Sequence, residues 1–284
     1  MKILIIGNFH HKNAGGLINI AKYLNYEIKY GNINDIPNYD IIFIPDQVLN
    51  TGKFDKNKKF IFGPHLSIFP DTRLYTINNV NNNSIYIQPS DWAKQCWNIV
   101  NQLIPIKTFC FPVSTEKFKS IREKKEKVFI YFKRRKPEEL LFITKFLKSK
   151  QIEFRVFDYI KRYDEKDYIK YLQESKYGIW LGAHESQGFA LQEALSCNVP
   201  LLVWTVTSMQ QEEGSNFSNI QATSIPYWDE RCGDFFYKKE EFETKYNEFI
   251  NKLDTYKPRE YVLENLSVEK CTENFKGLFT TNMI

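Results

Sequence analysis

The feature that most constrains this chain is a set of short, continuously apolar runs separated by stretches of helical period. KILIIGNF, DIIFIP, KFIFGPH, SIYIQPS and KTFCFPV occur before residue 114, and VFIYF, EFRVF, YGIWLGA and PLLVW fall between 128 and 204. A strand with one face in water alternates apolar and polar residues, whereas a strand covered on both faces does not. GGLINIAKYL, DWAKQCWNIV, PEELLFITKFLKSK and DEKDYIKYLQES lie between the runs and carry the spacing of amphipathic helices. Strand and helix in alternation give parallel sheets with helices on both faces.

The alternation breaks once. STEKFKSIREKKEK, at 114–127, is polar and lysine-rich, as a linker is, and the 284 residues are enough for two cores. Two doubly wound α/β domains are expected, 1–112 and 113–284, each binding ligands outside the carboxyl ends of its strands. NNVNNNS, at 78–84, reads as a polar surface loop.

A net charge of +5 suits an anionic ligand without requiring nucleic acid. The five cysteines are scattered, with no C-x-x-C pair, so neither a disulfide framework nor a zinc cluster is expected, and the thiols read as reduced and intracellular, in the cytoplasm. No apolar run approaches the ~18 residues of a transmembrane helix.

The stretch GAHESQGFALQEALSCNVPLLVW, at 182–204, sets Glu185 and Glu193 on either side of a helix start. GIWLGA ends a strand, Ser186 is expected to cap the helix, and Gly188 to Cys197 are expected to form it, with Asn198 ending it before Pro200. Unsatisfied backbone N–H groups at Gly188, Phe189 and Ala190 make such a start an anion site. A phosphate there leaves Glu193 within reach of a ribose, and Glu185 nearer whatever follows the phosphates. The plain alternative for each acid alone is a loop carboxylate and a solvated helix residue.

This stretch resembles the donor-site signature of the retaining GT-B glycosyltransferases of family 4 (glycosyl transferases group 1). Their pattern is Glu-Gly-Phe-Gly, four residues, Glu-Ala, then a Cys-Gly-x-Pro break. Here it reads Glu185-Ser186-Gln187-Gly188, Glu193-Ala194 and Cys197-Asn198-Val199-Pro200. Other segments resemble the family in order: GNFHHKNAGGLINIAKYL its first-strand glycine loop, IQPSDWAKQCW its serine-then-helix entry, FPVSTEKFKS its hinge, and NLSVEKCTENFKGLF its final helices.

The resemblance implies an α/β fold of two Rossmann-like doubly wound domains facing a cleft. Residues 1–112 would be the acceptor domain and 113–284 the donor domain, the last helix returning to the first. It implies transfer of a sugar from a nucleoside diphosphate sugar, UDP- or GDP-linked, to a glycan or other hydroxyl acceptor, with retention. The nucleotide sugar is a co-substrate, and neither a cofactor nor an obligatory nucleic acid partner is expected. No metal is expected either, since the chain has no Asp-x-Asp carboxylate pair; Asp164 and Asp167 instead read as acids at a helix start.

As the resemblance implies, Gly15 and Gly16 approach the donor phosphate or the acceptor, His65 contacts the transferred sugar, and Glu185 acts at the sugar end. Glu193 takes the ribose. From the basic turn Lys133, Arg134, Arg135 and Lys136, the diphosphate is held by at least one cation, Lys133 and Arg135 being favoured. His10 and His11 are placed by the acceptor, and Tyr159 with 161–167 by the base. His184 is open between roles. Three rival readings share the fold or its ligand: a sugar-nucleotide epimerase, a DNA-base glucosyltransferase, and a non-catalytic nucleotide-sugar-binding subunit.

Overall fold

A computed structural model describes residues 1–65, 79–98, 104–121 and 125–279, in two compact units. Parts of four expected segments lie outside these residues: 66–70 after His65, residue 78 of the asparagine-rich loop, 99–100 of the second helix and 122–124 of the linker. One unit comprises Met1–Pro112 with Leu266–Ile284, and the other Val113–Asn265.

The first unit contains β1 (Lys2–Ile6), α1 (His11–Tyr23), β2 (Glu27–Gly31), β3 (Ile41–Ile44), β4 (Lys59–Phe62), β5 (Ser84–Gln88), α2 (Asp91–Asn98) and β6 (Ile106–Thr108). Its six-stranded sheet runs β2-β1-β3-β4-β5-β6, with every pairing parallel. Ile3, Leu4, Ile5, Ile41 to Ile44 and Phe60 to Phe62 are buried on both faces, as the continuous apolar runs require. A C-terminal helix (Val268–Gly277; α8) packs beside α1, and Phe275 meets Phe109 edge-on with centroids 5.9 Å apart.

The expected glycine loop is helix. α1 begins at His11, four residues before Gly15, and Ala14 N–H donates to the His10 carbonyl at 2.9 Å. Gly16 serves packing here: a Cβ on it would lie 3.0 Å from Phe111 Cβ and 3.1 Å from Pro112 Cδ, whereas one on Gly15 would meet nothing within 4 Å. Absence of a side chain lets α1 close on the 109–112 segment, which helix propensity alone would not favour. Gly15 is half-buried in the same helix.

The second unit contains β7 (Lys127–Lys133), α3 (Pro137–Ser149), β8 (Phe154–Asp158), α4 (Glu165–Glu174), β9 (Ser175–Gly182), α5 (Phe189–Ser196), β10 (Leu201–Trp204), β11 (Gly233–Phe236), α6 (Phe242–Asn251) and α7 (Pro258–Asn265). Its sheet is also parallel throughout, in the order β11-β10-β9-β7-β8. Side chains alternate across it. Val128, Ile130, Phe132, Ile179 and Leu181 face α3 and α6 through Ile143, Leu147, Phe242 and Phe249. On the other face Tyr131 and Trp180, partners in register, stack at 3.9 Å and 6°, and Tyr131 also meets Tyr168 of α4.

Strand order reverses between β1 and β3 in the first unit and between β7 and β9 in the second. Such switch points, at the carboxyl ends of the strands, are where open α/β sheets bind ligands.

Candidate functional site

In the second unit the two strands of the switch point end in charged residues that meet. Lys133 closes β7, Glu185 follows β9, and Lys133 Nζ lies 2.9 Å from Glu185 Oε2. Glu185 is only 7% exposed, and its N–H donates to the Thr223 carbonyl at 2.9 Å. Lys133 Nζ also stands 5.0 Å from the centroid of Tyr159, just past β8, where cation and ring attract.

Helix α5 starts beside this pair. The N-cap is Gly188 and not the expected Ser186. Gly188 has φ of 84°, a left-handed turn that glycine adopts without a Cβ clash, and the helix begins at Phe189. Its ladder opens with Gln192 N–H donating to the Gly188 carbonyl at 2.9 Å, so the N–H groups of Phe189, Ala190 and Leu191 precede it. Tyr168 Oη donates to the Ala190 carbonyl at 2.9 Å and ties the first turn to α4. Gln187 and Gln192 bond reciprocally: Gln192 Nε2 donates to the Gln187 carbonyl at 2.9 Å, and Gln187 Nε2 to Gln192 Oε1 at 3.2 Å. Gln187, a departure from the family pattern, thus braces the entry loop from inside.

Glu193, a turn into α5, is 3% exposed, so the reading of a solvated helix acid does not hold. At the far end Asn198 takes φ of 57°, as its place in the break requires. Lys125 Nζ donates there to the carbonyls of Cys197 (2.6 Å) and Asn198 (3.0 Å), and Arg259 Nη1 to that of Ser196 (2.7 Å). Cations at this end complement the helix dipole whose positive end faces the site.

The basic turn divides its labour. Arg135 is 3% exposed; Nε and Nη2 grip Glu139 at 2.8 Å each, and Nη1 donates to the carbonyls of Trp204 (2.8 Å) and Gly182 (3.3 Å). The expectation of a phosphate contact from Arg135 is therefore corrected: its guanidinium joins α3 to the ends of β9 and β10. Arg134, at φ of 49°, is the more open cation, and its Nη1 lies 2.5 Å from Glu212 Oε1.

Sequence reasoning missed Glu212. It sits in an unpatterned segment between β10 and β11, buried, with His184 Nδ1 3.0 Å from Oε2 and Ser215 Oγ donating to Oε1 at 3.0 Å. Burial, with Lys133 and Arg134 nearby, pushes His184 down to about 4 against the pull of Glu212, which leaves the imidazole neutral near pH 7. Beneath the acids lie Tyr131, Tyr163 and Tyr168, whose hydroxyls burial raises above their ordinary range; they stay protonated.

The three other sequence-derived histidines belong to the first unit. His65 follows β4 with φ of 60°, its N–H donating to the Pro45 carbonyl at 2.9 Å and its ring 5.4 Å from that of Tyr86. His10 and His11 stand with ring centroids 4.6 Å apart at the start of α1, and burial lowers the His10 pKa. Among the described residues no three His, Cys, Asp or Glu side chains are grouped as metal ligands, and no helix is long and apolar enough to cross a membrane. The cysteines are buried and unbridged.

No protein-family model matches the chain, and no curated protein matches it in sequence. Solved structures do. The chain is similar to AviGT4, a glycosyltransferase involved in avilamycin A biosynthesis, at a TM-score of 0.63 and 11% identity over 98% of this chain and 97% of that one. It is similar to sucrose-phosphate synthase from Thermosynechococcus elongatus at 0.59 and 9% over 98% of both. A variant of S. aureus TarM, in complex with fondaparinux, α-GlcNAc-glycerol and UDP, matches at 0.52 and 16% over 92% of this chain and 58% of its own. At these identities the likeness is one of fold: two Rossmann-like α/β units, the GT-B class that the sequence pattern implies.

Proposed function

We propose that the protein is a glycosyltransferase that moves a sugar from a UDP- or GDP-linked donor to a hydroxyl acceptor, with retention of anomeric configuration. The observation that carries this reading is the meeting of Lys133 and Glu185 at the switch point, with the start of α5 and buried Glu193 beside them. A diphosphate seated there faces the N–H groups of Phe189 and Ala190 and the ammonium of Lys133, with Arg134 at the outer side. These positive groups stabilise the charge that grows on the departing nucleoside diphosphate. Glu193 accepts from the ribose hydroxyls, a charge-assisted contact. Glu185 orients the sugar and, through its ion pair, holds Lys133 extended toward the phosphates.

The donor is a co-substrate, no further cofactor takes part, and the reaction runs in the cytoplasm. Similarity to glycosyltransferase structures supports the reading through the fold. The test is a thermal-shift panel of UDP, GDP and their sugars, in which a ligand at 100 times its Kd stabilises by about 2.7 kcal/mol. Transfer to a simple glycoside with the bound donor follows, the product's anomeric coupling being read by proton NMR. A panel in which no nucleotide shifts the melting temperature overturns the proposal, and an inverted product overturns retention.

A further inference from the structure

Four strands bound the two sheets, and one of them is bare. β6, β8 and β11 are buried or half-buried at every position but Arg155 of β8. β2 is exposed at Glu27, Lys29, Tyr30 and Gly31, and nothing among the described residues pairs with its outer side. Glu27 N–H donates inward, to the Met1 carbonyl at 3.1 Å, and the parallel register with β1 is unbroken, so Ile28 and Tyr30 turn their N–H and C=O groups outward. Neither proline nor a bulge interrupts the strand, as they do where an edge is kept from pairing. Large apolar side chains also gather here. In the first unit, the exposed ones among the described residues are Met1, Tyr23, Tyr30 and Ile33, all in β2 or in the segments that adjoin it. Exposed apolar groups clustered in this way mark an interaction surface.

The strand is complementary to itself. Tyr26-Glu27-Ile28-Lys29-Tyr30 runs aromatic, acid, apolar centre, base, aromatic. Glu27 and Lys29 share one face, with Lys29 Nζ 3.0 Å from Glu27 Oε1. Laid antiparallel on a second copy about a two-fold axis at Ile28, each Glu27 faces the other copy's Lys29, and each Tyr26 faces the other Tyr30. The two Ile28 residues then exchange N–H and C=O bonds, and each Tyr30 N–H reaches the other Tyr26 carbonyl. Tyr26 N–H takes no part, since it donates to the Ala21 carbonyl at 2.8 Å. The charged pairs fall at the close, non-hydrogen-bonded positions of the ladder, where opposite charges attract best. Moving the axis by one residue sets Glu27 against Glu27 or Lys29 against Lys29, and parallel pairing in register does both. Charge therefore selects the second copy, antiparallel, in one register. We infer that the protein forms a two-fold symmetric dimer through β2, its six-stranded sheet running on into that of the second copy. None of these residues belongs to the candidate site, so the dimer does not depend on the proposed function.

Sedimentation velocity over a concentration series, on the full chain, tests the dimer. Wild type is expected to pass from monomer to dimer as concentration rises. Glu27→Lys and Lys29→Glu each set like charges opposite one another on both sides of the axis, so each is expected to raise the dissociation constant about tenfold or more. Both side chains are exposed, so the urea midpoint of either variant is expected to stay near that of wild type. Mixed in equal amounts, the two variants are expected to recover the wild-type dissociation constant, because two lysines of one chain then face two glutamates of the other. Wild type that stays monomeric leaves the edge to a strand of another protein, or blunted by Lys29 alone, and overturns the dimer. So does an association that neither variant weakens, or a mixture that associates no better than each variant by itself.

Discussion

Lys133 and Glu185 reach each other across the switch point of the second sheet, 2.9 Å between Nζ and Oε2, from strands adjacent in space but separated in sequence by two helices and a strand. Because both are largely buried, each stabilises the other's charge, and removing one leaves the other in a poor medium. Lys133→Ala is expected to lower kcat about 10²-fold or more, the size of losing one group that stabilises transition-state charge. Glu185→Ala is expected to lower turnover more than affinity for the bare nucleoside diphosphate. Steady-state kinetics beside calorimetry decides it: equal losses in both measures for Glu185→Ala contradict its place at the sugar.

Glu193 is expected to show the opposite division. If it accepts from the ribose hydroxyls, as proposed, this buried carboxylate contributes about 1.5–3 kcal/mol to nucleotide binding, the range for hydrogen bonds to a charged group. Glu193→Ala should therefore weaken UDP or GDP and the matching nucleoside alike, whereas its effect on a 2′,3′-dideoxy nucleotide should vanish. Equal weakening of ribo and dideoxy nucleotides removes the ribose role.

Neighbouring arginines should part company. Arg135→Ala breaks a buried bidentate pair with Glu139 and two strand-end contacts, so a stability loss of about 3–5 kcal/mol is expected. Arg134, nearly half exposed, is expected to change the urea midpoint little when replaced, and to weaken diphosphates more than nucleosides. Urea melts with nucleotide titrations separate the two roles; a fold-neutral Arg135→Ala sinks the scaffold assignment.

How much of this was legible in the sequence follows from burial. Strands β3, β4, β5, β7 and β9 are covered on both faces and announce themselves as apolar runs. β2 and β11, EIKYG and GDFF, are edge strands paired on one side only, with β2 mostly exposed, so no apolar run marks them. The acids at 185 and 193 were legible because a strand end and a helix start fix their distance locally. Arg135 was not, because its burial depends on Glu139 one helical turn on and on carbonyls at 182 and 204 that only the fold brings near. Glu212 was hidden for the same reason: its partners are set by tertiary contact and not by spacing.

His184 gives a pH signature. Its folded pKa is pushed down to about 4 from 6.5, mainly by burial. Between those values the unfolded chain takes up a proton that the folded chain does not, so this group's contribution is complete above pH 6.5 and is lost as pH falls toward 4. Each pH unit inside the window costs at most about 1.4 kcal/mol. His10, also lowered by burial, acts in the same direction, so the check is a difference. The urea midpoint of His184→Gln should fall less between pH 7 and pH 5 than that of wild type; parallel curves for the two proteins contradict a neutral buried His184.

Independence from divalent metal is the last expectation, and the carboxylates decide it. Metal-using glycosyl transfer holds the cation through a paired Asp-x-Asp, and the nearest such acids here are committed elsewhere. Asp164 caps α4, its Oδ1 accepting from the N–H groups of Lys166 (2.7 Å) and Asp167 (3.1 Å), and Asp167 Oδ2 lies 3.4 Å from Arg155 Nη2. On the proposed reading, Lys133, Arg134 and the start of α5 bring positive charge to both phosphates, which makes a cation redundant there. Prolonged EDTA treatment is therefore expected to leave most transfer activity in place, measured with donor and acceptor saturating. Loss of activity that Mg²⁺ or Mn²⁺ restores, and buffer exchange does not, would overturn this account of the phosphate site.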